Sequence, residues 1–241
     1  MITVSIVSHG HGAMLKPLVA QLAGFAQVSR IILTRNIPEP LDLAPHPALM
    51  LRDNARPMGF GANHNAAFRF CETPYFCVLN PDIALPENPF PALLDCLKRS
   101  DAALAAPLVV APSGEIEDSI RHFPTPLALL QKTVGGADGR YATPVHGQPF
   151  KADWVAGMFM LFGAAEFRAV NGFDESFFLY YEDVDICARL WRTGRSVVAC
   201  PRARAIHAAR RTSRRNLRYM AWHVRSMLRY FVNHLGRLPR R

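Results

Sequence analysis

Five acids cluster with aromatics between Gly172 and Leu190: Asp174 and Glu175, then Glu182, Asp183 and Asp185 after the run Phe177-Phe178-Leu179-Tyr180-Tyr181. A carboxylate placed among aromatics loses solvation, its pKa rises, and it can take a proton near neutral pH. Asp174 and Glu175 read equally well as loop or capping acids, since acids are favoured in the first turn of a helix. Glu182, Asp183 and Asp185 follow the aromatics without a polar break, so they must be paired, metal-bound or poised for proton transfer. Arg189 stands four residues after Asp185, and in a helix starting near Glu182 the two share a face. Glu182 and Asp183 are left as the candidates for chemistry.

Three loops at predicted strand ends are candidates for binding. Asn80-Pro81-Asp82 follows the apolar run Phe76-Cys77-Val78-Leu79. A carboxylate there can hold Mg²⁺ or Mn²⁺ while a diphosphate fills other positions; an Asx-Pro turn is the alternative. The segment from Asn54 to Asn65 combines Gly59 and Gly61 with side-chain amides just before a helix, which suits phosphate and a base or ribose, or else a turn with an N-cap. Ser8-His9-Gly10-His11-Gly12 ends the first strand, where open α/β sheets bind ligands; its histidines can equally decorate a loop.

Stepping along the chain, Thr3 to Ser8 is strand-like, Met14 to Phe25 helical through Leu15, Leu18, Val19 and Leu22, and Arg30 to Thr34 strand-like. This alternation predicts a parallel sheet with crossover helices. Strands are predicted at 48–52, 75–79, 104–110, 154–162 and 196–200, and helices at 62–71, 91–99, 164–170, 182–193 and 216–235. Ser113 to Phe150 shows no steady period and is read as one long, partly mobile loop, the kind that forms lids or binding segments.

Half of the 241 residues are apolar, enough for one substantial core. The five cysteines form no C-x-x-C pair, which points to a reduced, cytoplasmic setting without structural zinc or a disulfide framework. No signal peptide and no transmembrane run is expected. The net charge of +9 is unevenly placed: residues 1–185 carry all 19 acids against 13 Lys and Arg, and the remainder carries 15 Arg and no acid. A basic tail on an acidic body points to an anionic partner, nucleic acid or a membrane surface. In the last helix Leu217, Met220, Val224, Met227, Leu228, Phe231 and Leu235 are expected on one face, with Trp222 and Tyr230 suited to an interface. That face either packs on the domain or docks on an anionic membrane.

From Thr3 to His207 the chain resembles the family 2 glycosyltransferases of GT-A fold, in their rhamnosyltransferase-like branch. The resemblance rests on Val4-Ser5-Ile6-Val7-Ser8, on Gly59-Phe60-Gly61 with Asn63 and Asn65, and on Asn80-Pro81-Asp82. It extends through Gly157-Met158-Phe159-Met160 and Gly172-Phe173-Asp174-Glu175 to Glu182-Asp183-Val184-Asp185 and Arg189. It implies a Rossmann-like, mostly parallel sheet flanked by helices over residues 1–207, followed by a basic helical extension, 208–241. By similarity Asp183 is the base that activates the acceptor, with Glu182 beside it, and Asp82 and His207 hold Mg²⁺ or Mn²⁺. Ser8, Asn36, Gly59, Gly61, Asn65 and Asn80 would line the nucleotide-sugar site. Asn80 stands where the family has an acid and becomes a ribose contact, and the second strand ends in Thr34-Arg35-Asn36 rather than the usual Asp-Asn.

The resemblance implies an inverting, metal-dependent transfer of a sugar, L-rhamnose from dTDP-rhamnose or a sugar from a UDP or GDP donor, to a glycan or lipid-linked acceptor. It would work in the cytoplasm, at the inner face of the membrane if the tail docks there. Two other classes stay open. A nucleotidyltransferase on a related fold would make a sugar nucleotide rather than consume one. A nucleic-acid-binding protein would use Arg202, Arg204, Arg210, Arg211, Arg214, Arg215 and Arg218 on phosphates, though the acidic body and the lack of a reader motif argue that no nucleic acid is bound.

Overall fold

The computed structural model describes residues 1–133, 135–136, 139–141, 147–207, 217–234 and 236–239. The chain runs β1 (Ile2–Ser8), a 3₁₀ turn at Gly12–Met14, α1 (Leu15–Ala23), β2 (Val28–Arg35), β3 (Leu49–Asp53), α2 (Phe60–Phe68), β4 (Tyr75–Leu79), β5 (Ile83–Ala84), α3 (Phe90–Ser100) and β6 (Ala102–Val110). It continues with β7 (Ile120–Arg121), α4 (Pro126–Thr133), β8 (Phe150–Lys151), β9 (Trp154–Val155), β10 (Phe159–Gly163), α5 (Ala164–Ala169), α6 (Glu182–Arg192), β11 (Ser196–His207) and α7 (Leu217–His234).

One mixed sheet organises the described residues in the order β3-β2-β1-β4-β10-β6-β11-β5, with β8 on β11. Its long ladders are parallel, β1 with β2 and β6 with β11, while β10 enters antiparallel between β4 and β6. Strands covered on both faces read as continuous apolar runs, and β1, β4 and β6 are buried almost throughout. The polar residues inside β1 are satisfied: Thr3 accepts a hydrogen bond from Thr73 (2.9 Å) and Ser5 meets the buried His64 ring (2.8 Å). Burial lowers the pKa of His64 to about 3 and keeps it neutral. On α1, Leu15, Leu18, Val19 and Leu22 are buried, as the helical period predicts.

Four expectations change. The segment 113–150 contains structure: β7 pairs with β9, and α4 follows. Two-residue strands and one short helix are too brief to show a period in the sequence. The predicted strand 154–162 is two strands in different sheets, β9 and β10, split by a turn at Gly157. The strand predicted to stop at Cys200 continues to His207, with Ala203 and Ala205 buried and Arg202 and Arg204 exposed. That period-2 alternation has the look of a basic tail unless the arginines are read as one face of a strand.

The last helix turns its other side to the protein. Ser226, Tyr230 and His234 are buried, whereas Leu217, Met220, Val224 and Leu228 are 44–80% exposed. Trp222 and Tyr230 face inward, against Phe178 and Tyr181. Leu235, Arg210, Arg211, Arg214 and Arg215, together with the expected start of the extension at 208, lie outside the described residues. Among the described residues no helix is long and apolar enough to cross a membrane.

Candidate active site

The acidic cluster sits on the first turn of α6. Asp185 pairs with Arg189 (2.7 Å), the i,i+4 contact expected from spacing, and its other oxygen meets His234 Nε2 at 2.8 Å. Asp174 and Glu175 are structural: Asp174 Oδ1 accepts the Ser176 N–H, and Glu175 accepts from Asn65 Nδ2. Asp183 lies partly open, accepting the Gly157 N–H (3.0 Å) and the Val184 N–H (2.9 Å). Burial pushes its carboxyl pKa above the usual range despite those two donors. Glu182 is 4% exposed and its Oε2 has no partner. Burial first, then the charges of Asp183 and Asp185, drive its pKa well up and favour the neutral acid.

Asp82 and His207 come together because β5 pairs antiparallel with the end of β11, which sets His207 opposite Ile83. His207 Nε2 lies 3.3 Å from Asp82 Oδ2. Burial raises the Asp82 pKa, but hydrogen bonding and charge from His207, a backbone contact and the nearby His11 outweigh it, so the group stays ionised. Asp82 Oδ1 and His207 Nδ1 are both buried without a partner. Two unpartnered donor atoms of these types fit a divalent cation that takes its remaining ligands from water and a diphosphate. No cluster of three ligating side chains occurs among the described residues.

The start of β10 joins the two halves. Asn80 donates its N–H to Met158 O (2.9 Å), and Gly157, next in line, donates to Asp183. A Cβ on Gly157 would stand 3.0 Å from Phe60 Cζ. Gly157 therefore belongs to the site as the donor that fixes the Asp183 carboxylate, a role its place in the Gly157-Met158-Phe159-Met160 motif did not reveal.

The other predicted binding residues are placed as follows. Ser8 is buried at the end of β1; its hydroxyl accepts the His11 N–H and bonds Glu39, a residue the sequence did not flag, which also accepts from Gly10 and Gly12. Asn36 Oδ1 accepts from Asn54 Nδ2 and the Met58 N–H (both 2.8 Å), and its Nδ2 meets Met58 O (3.0 Å) and His9 Nδ1 (3.3 Å), so the amide ties the 54–59 loop to the end of β1. Asn65 exchanges two hydrogen bonds with the Phe173 backbone. Gly59 and Gly61 allow close packing: an added Cβ would lie 2.7 Å from Phe178 O and 2.6 Å from Phe173 Cβ, respectively. Asn80, half-buried, begins the turn that carries Asp82.

A cavity of ≈ 300 Å³ opens beside the acids, lined among others by Arg121, His122, Trp154, Tyr181, Glu182 and Asp183. The 113–150 segment supplies one wall, and Asp153 ties it down through the Phe123 N–H and the Tyr141 hydroxyl (both 2.9 Å). None of these wall residues carries a spacing signal, because pairing of β7 with β9, not local pattern, brings them there.

No protein-family model matches the chain. It is 29% identical over 254 residues to the rhamnosyltransferase WbbL of Escherichia coli, covering 96% of this chain and 93% of WbbL. It is 31% identical over 159 residues to the N-acetylglucosaminyl-diphospho-decaprenol L-rhamnosyltransferase of Mycobacterium tuberculosis, spanning 62% of this chain and about half, 52%, of that enzyme. Among solved structures, GalNAc-T7 with UDP, GalNAc and Mn²⁺ superposes with a TM-score of 0.69 at 14% identity, over 88% of this chain and 44% of that one, and so shares the fold. Fold and relatives define the class: the chain is a glycosyltransferase of GT-A architecture. Within that class it is similar to the family 2 rhamnosyltransferase-like enzymes.

Proposed function

We propose that the protein transfers L-rhamnose from dTDP-rhamnose, with inversion, to a hydroxyl of a lipid-linked glycan. The observation that carries this reading is the backbone bridge through Met158 and Gly157 that sets Asp183 and the Asp82–His207 pair at two ends of one short segment. The donor would lie across the carboxyl ends of β1, β2 and β4, near Ser8, Asn36 and Asn80, where open parallel sheets take ligands. Gly59, Gly61, Asn65 and the Asn36 amide shape that site, since their contacts are with the protein itself. Asp183 takes the proton from the acceptor hydroxyl, whose oxygen attacks the anomeric carbon from the face opposite the diphosphate; the C–O bond to the diphosphate breaks and the configuration inverts. Asp82 and His207 would hold Mg²⁺ or Mn²⁺, which supplies charge neutralisation for the departing diphosphate. The mycobacterial relative is named an N-acetylglucosaminyl-diphospho-decaprenol L-rhamnosyltransferase, and the GalNAc-T7 structure holds UDP, GalNAc and Mn²⁺.

Purified protein offered dTDP-β-L-rhamnose, UDP-sugars and GDP-sugars with Mg²⁺ or Mn²⁺ is expected to release nucleotide fastest from dTDP-rhamnose. A clear preference for a UDP- or GDP-sugar overturns the donor. Net synthesis of a sugar nucleotide would make the protein a nucleotidyltransferase.

The outer stripe of α7 suits the membrane on which such an acceptor sits. Leu217, Met220, Ala221, Val224 and Leu228 form an exposed apolar strip beside Arg225, and Arg210, Arg211, Arg214 and Arg215 precede it in sequence. Each Arg near an anionic surface contributes roughly 1 kcal/mol, screened by salt. Co-sedimentation with anionic vesicles, lost at high salt and absent with neutral vesicles, is the expected result; equal binding to both counts against it.

A further inference from the structure

Tyr180 and Tyr181, the two residues before Glu182, hold φ of 70° and 65°, a left-handed conformation that bulky side chains adopt only when their surroundings enforce it. On one side the enforcement comes from α2, whose Phe60 N–H donates to Phe178 O (2.9 Å). On the other side it comes from α7. Ser226 Oγ donates to Leu179 O (2.9 Å), Trp222 packs on Phe178, His223 on Tyr180 and Tyr181, and Tyr230 on Tyr181. His234, 1% exposed, then reaches Asp185 two residues beyond the base.

The His234 tautomer follows from its neighbours. Arg192 has only donors, so its contact with His234 Nδ1 (3.0 Å) makes that nitrogen the acceptor and leaves the proton on Nε2, which donates to Asp185 Oδ1. Arg189 takes the other Asp185 oxygen. The inward side of α7 covers core with Trp222, Tyr230 and Phe231, but it also carries polar side chains that such a cover does not need: Ser226 and His234 are buried there, while Leu217, Met220, Val224 and Leu228 stay exposed.

We infer that His234 is a positioning residue: through Asp185, with Ser226 on Leu179, it holds the Tyr180–Asp183 turn so that Asp183 meets the acceptor hydroxyl in line with the anomeric carbon. This rests on Asp183 being the base. A base displaced by a fraction of an ångström still permits donor binding but loses rate, so the effect falls on kcat and leaves the donor KM alone.

The test compares His234→Ala, His234→Gln and Ser226→Ala in the full chain, with Asp183→Asn alongside. The assay follows nucleotide release from dTDP-rhamnose with Mn²⁺ and an N-acetylglucosaminyl-diphospho-polyprenol acceptor. Gln places an amide N–H where Nε2–H stood. His234→Ala is expected to lower kcat by about tenfold or more with donor KM within about twofold, and His234→Gln to restore kcat to within about threefold of the parent. Ser226→Ala, which keeps the buried ring and loses one hydrogen bond, should lower kcat in the same direction by less, and stands in should His234→Ala fail to fold. Parent kcat in His234→Ala or, if that variant does not fold, in Ser226→Ala overturns the inference, as does a Gln variant no better than Ala, or a rise in donor KM at constant kcat. If Asp183→Asn stays active, the base assignment falls; if Asp183→Asn is dead while His234→Ala is normal, only the positioning role falls.

Discussion

Asp183→Asn is expected to lower the transfer rate by about 10² to 10⁴ while leaving donor binding intact, because the amide keeps the shape of the side chain and cannot accept the proton. The amide oxygen can still receive the Gly157 N–H that holds Asp183 at 3.0 Å, so the turn should not reorganise. Burial raises the pKa of Asp183, and the working form is the carboxylate, so activity should rise with pH through a value above that of an ordinary aspartate. That acidic limb should vanish from the residual activity of the variant. Glu182→Gln should be mild, since burial beside Asp183 and Asp185 already favours the neutral acid that Gln resembles. Steady-state kinetics with nucleotide titration decides it. Near-normal transfer by Asp183→Asn with a dead Glu182→Gln moves the base back by one residue, and lost donor affinity in Asp183→Asn makes it a binding residue.

The sequence was legible where a local pattern carries the structure. The apolar runs of β1 and β4, the helical period of α1 and the i,i+4 pair Asp185–Arg189 all appear as read. Glycines and amides were legible as positions but not as roles. Gly59, Gly61, Asn65 and Asn36 have the composition of a nucleotide loop, yet Asn65 reaches Phe173 across 108 residues and Gly59 makes room for the Phe178 carbonyl. Such partners depend on the fold closing, and no spacing in the chain announces them. The same holds for Gly157 and for the cavity wall of Arg121, His122 and Trp154. The tail shows the limit most sharply. Helical periodicity identifies the apolar stripe of α7, but the face turned inward is the one that carries Trp222, Tyr230 and Phe231 against the aromatics before α6 and brings His234 to the buried Asp185. That face combines aromatic burial with a partner for an ionised group at 2% exposure, and only the closed fold shows that both lie on the side away from the aliphatic stripe.

The second large effect concerns the metal. If the unpartnered Asp82 Oδ1 and His207 Nδ1 mark a cation site, nucleotide binding should depend on Mg²⁺ or Mn²⁺, and Asp82→Ala should abolish that dependence. Losing a supporting partner of a metal ligand already costs about 10- to 100-fold in affinity, and loss of the carboxylate itself should cost at least as much. Both residues lie at strand ends outside the apolar clusters of the core, so circular dichroism and the unfolding midpoint should change little. The pKa of Asp82 is held below the ordinary value, so its carboxylate is present for binding at any pH above that range and fails only on acidification. Calorimetric titration of dTDP with and without Mn²⁺ gives the readout, apart from any turnover. An Mn²⁺ effect on dTDP affinity that is as large in folded Asp82→Ala as in the parent would place the cation elsewhere and reduce the Asp82–His207 contact to one that fastens β5 to β11.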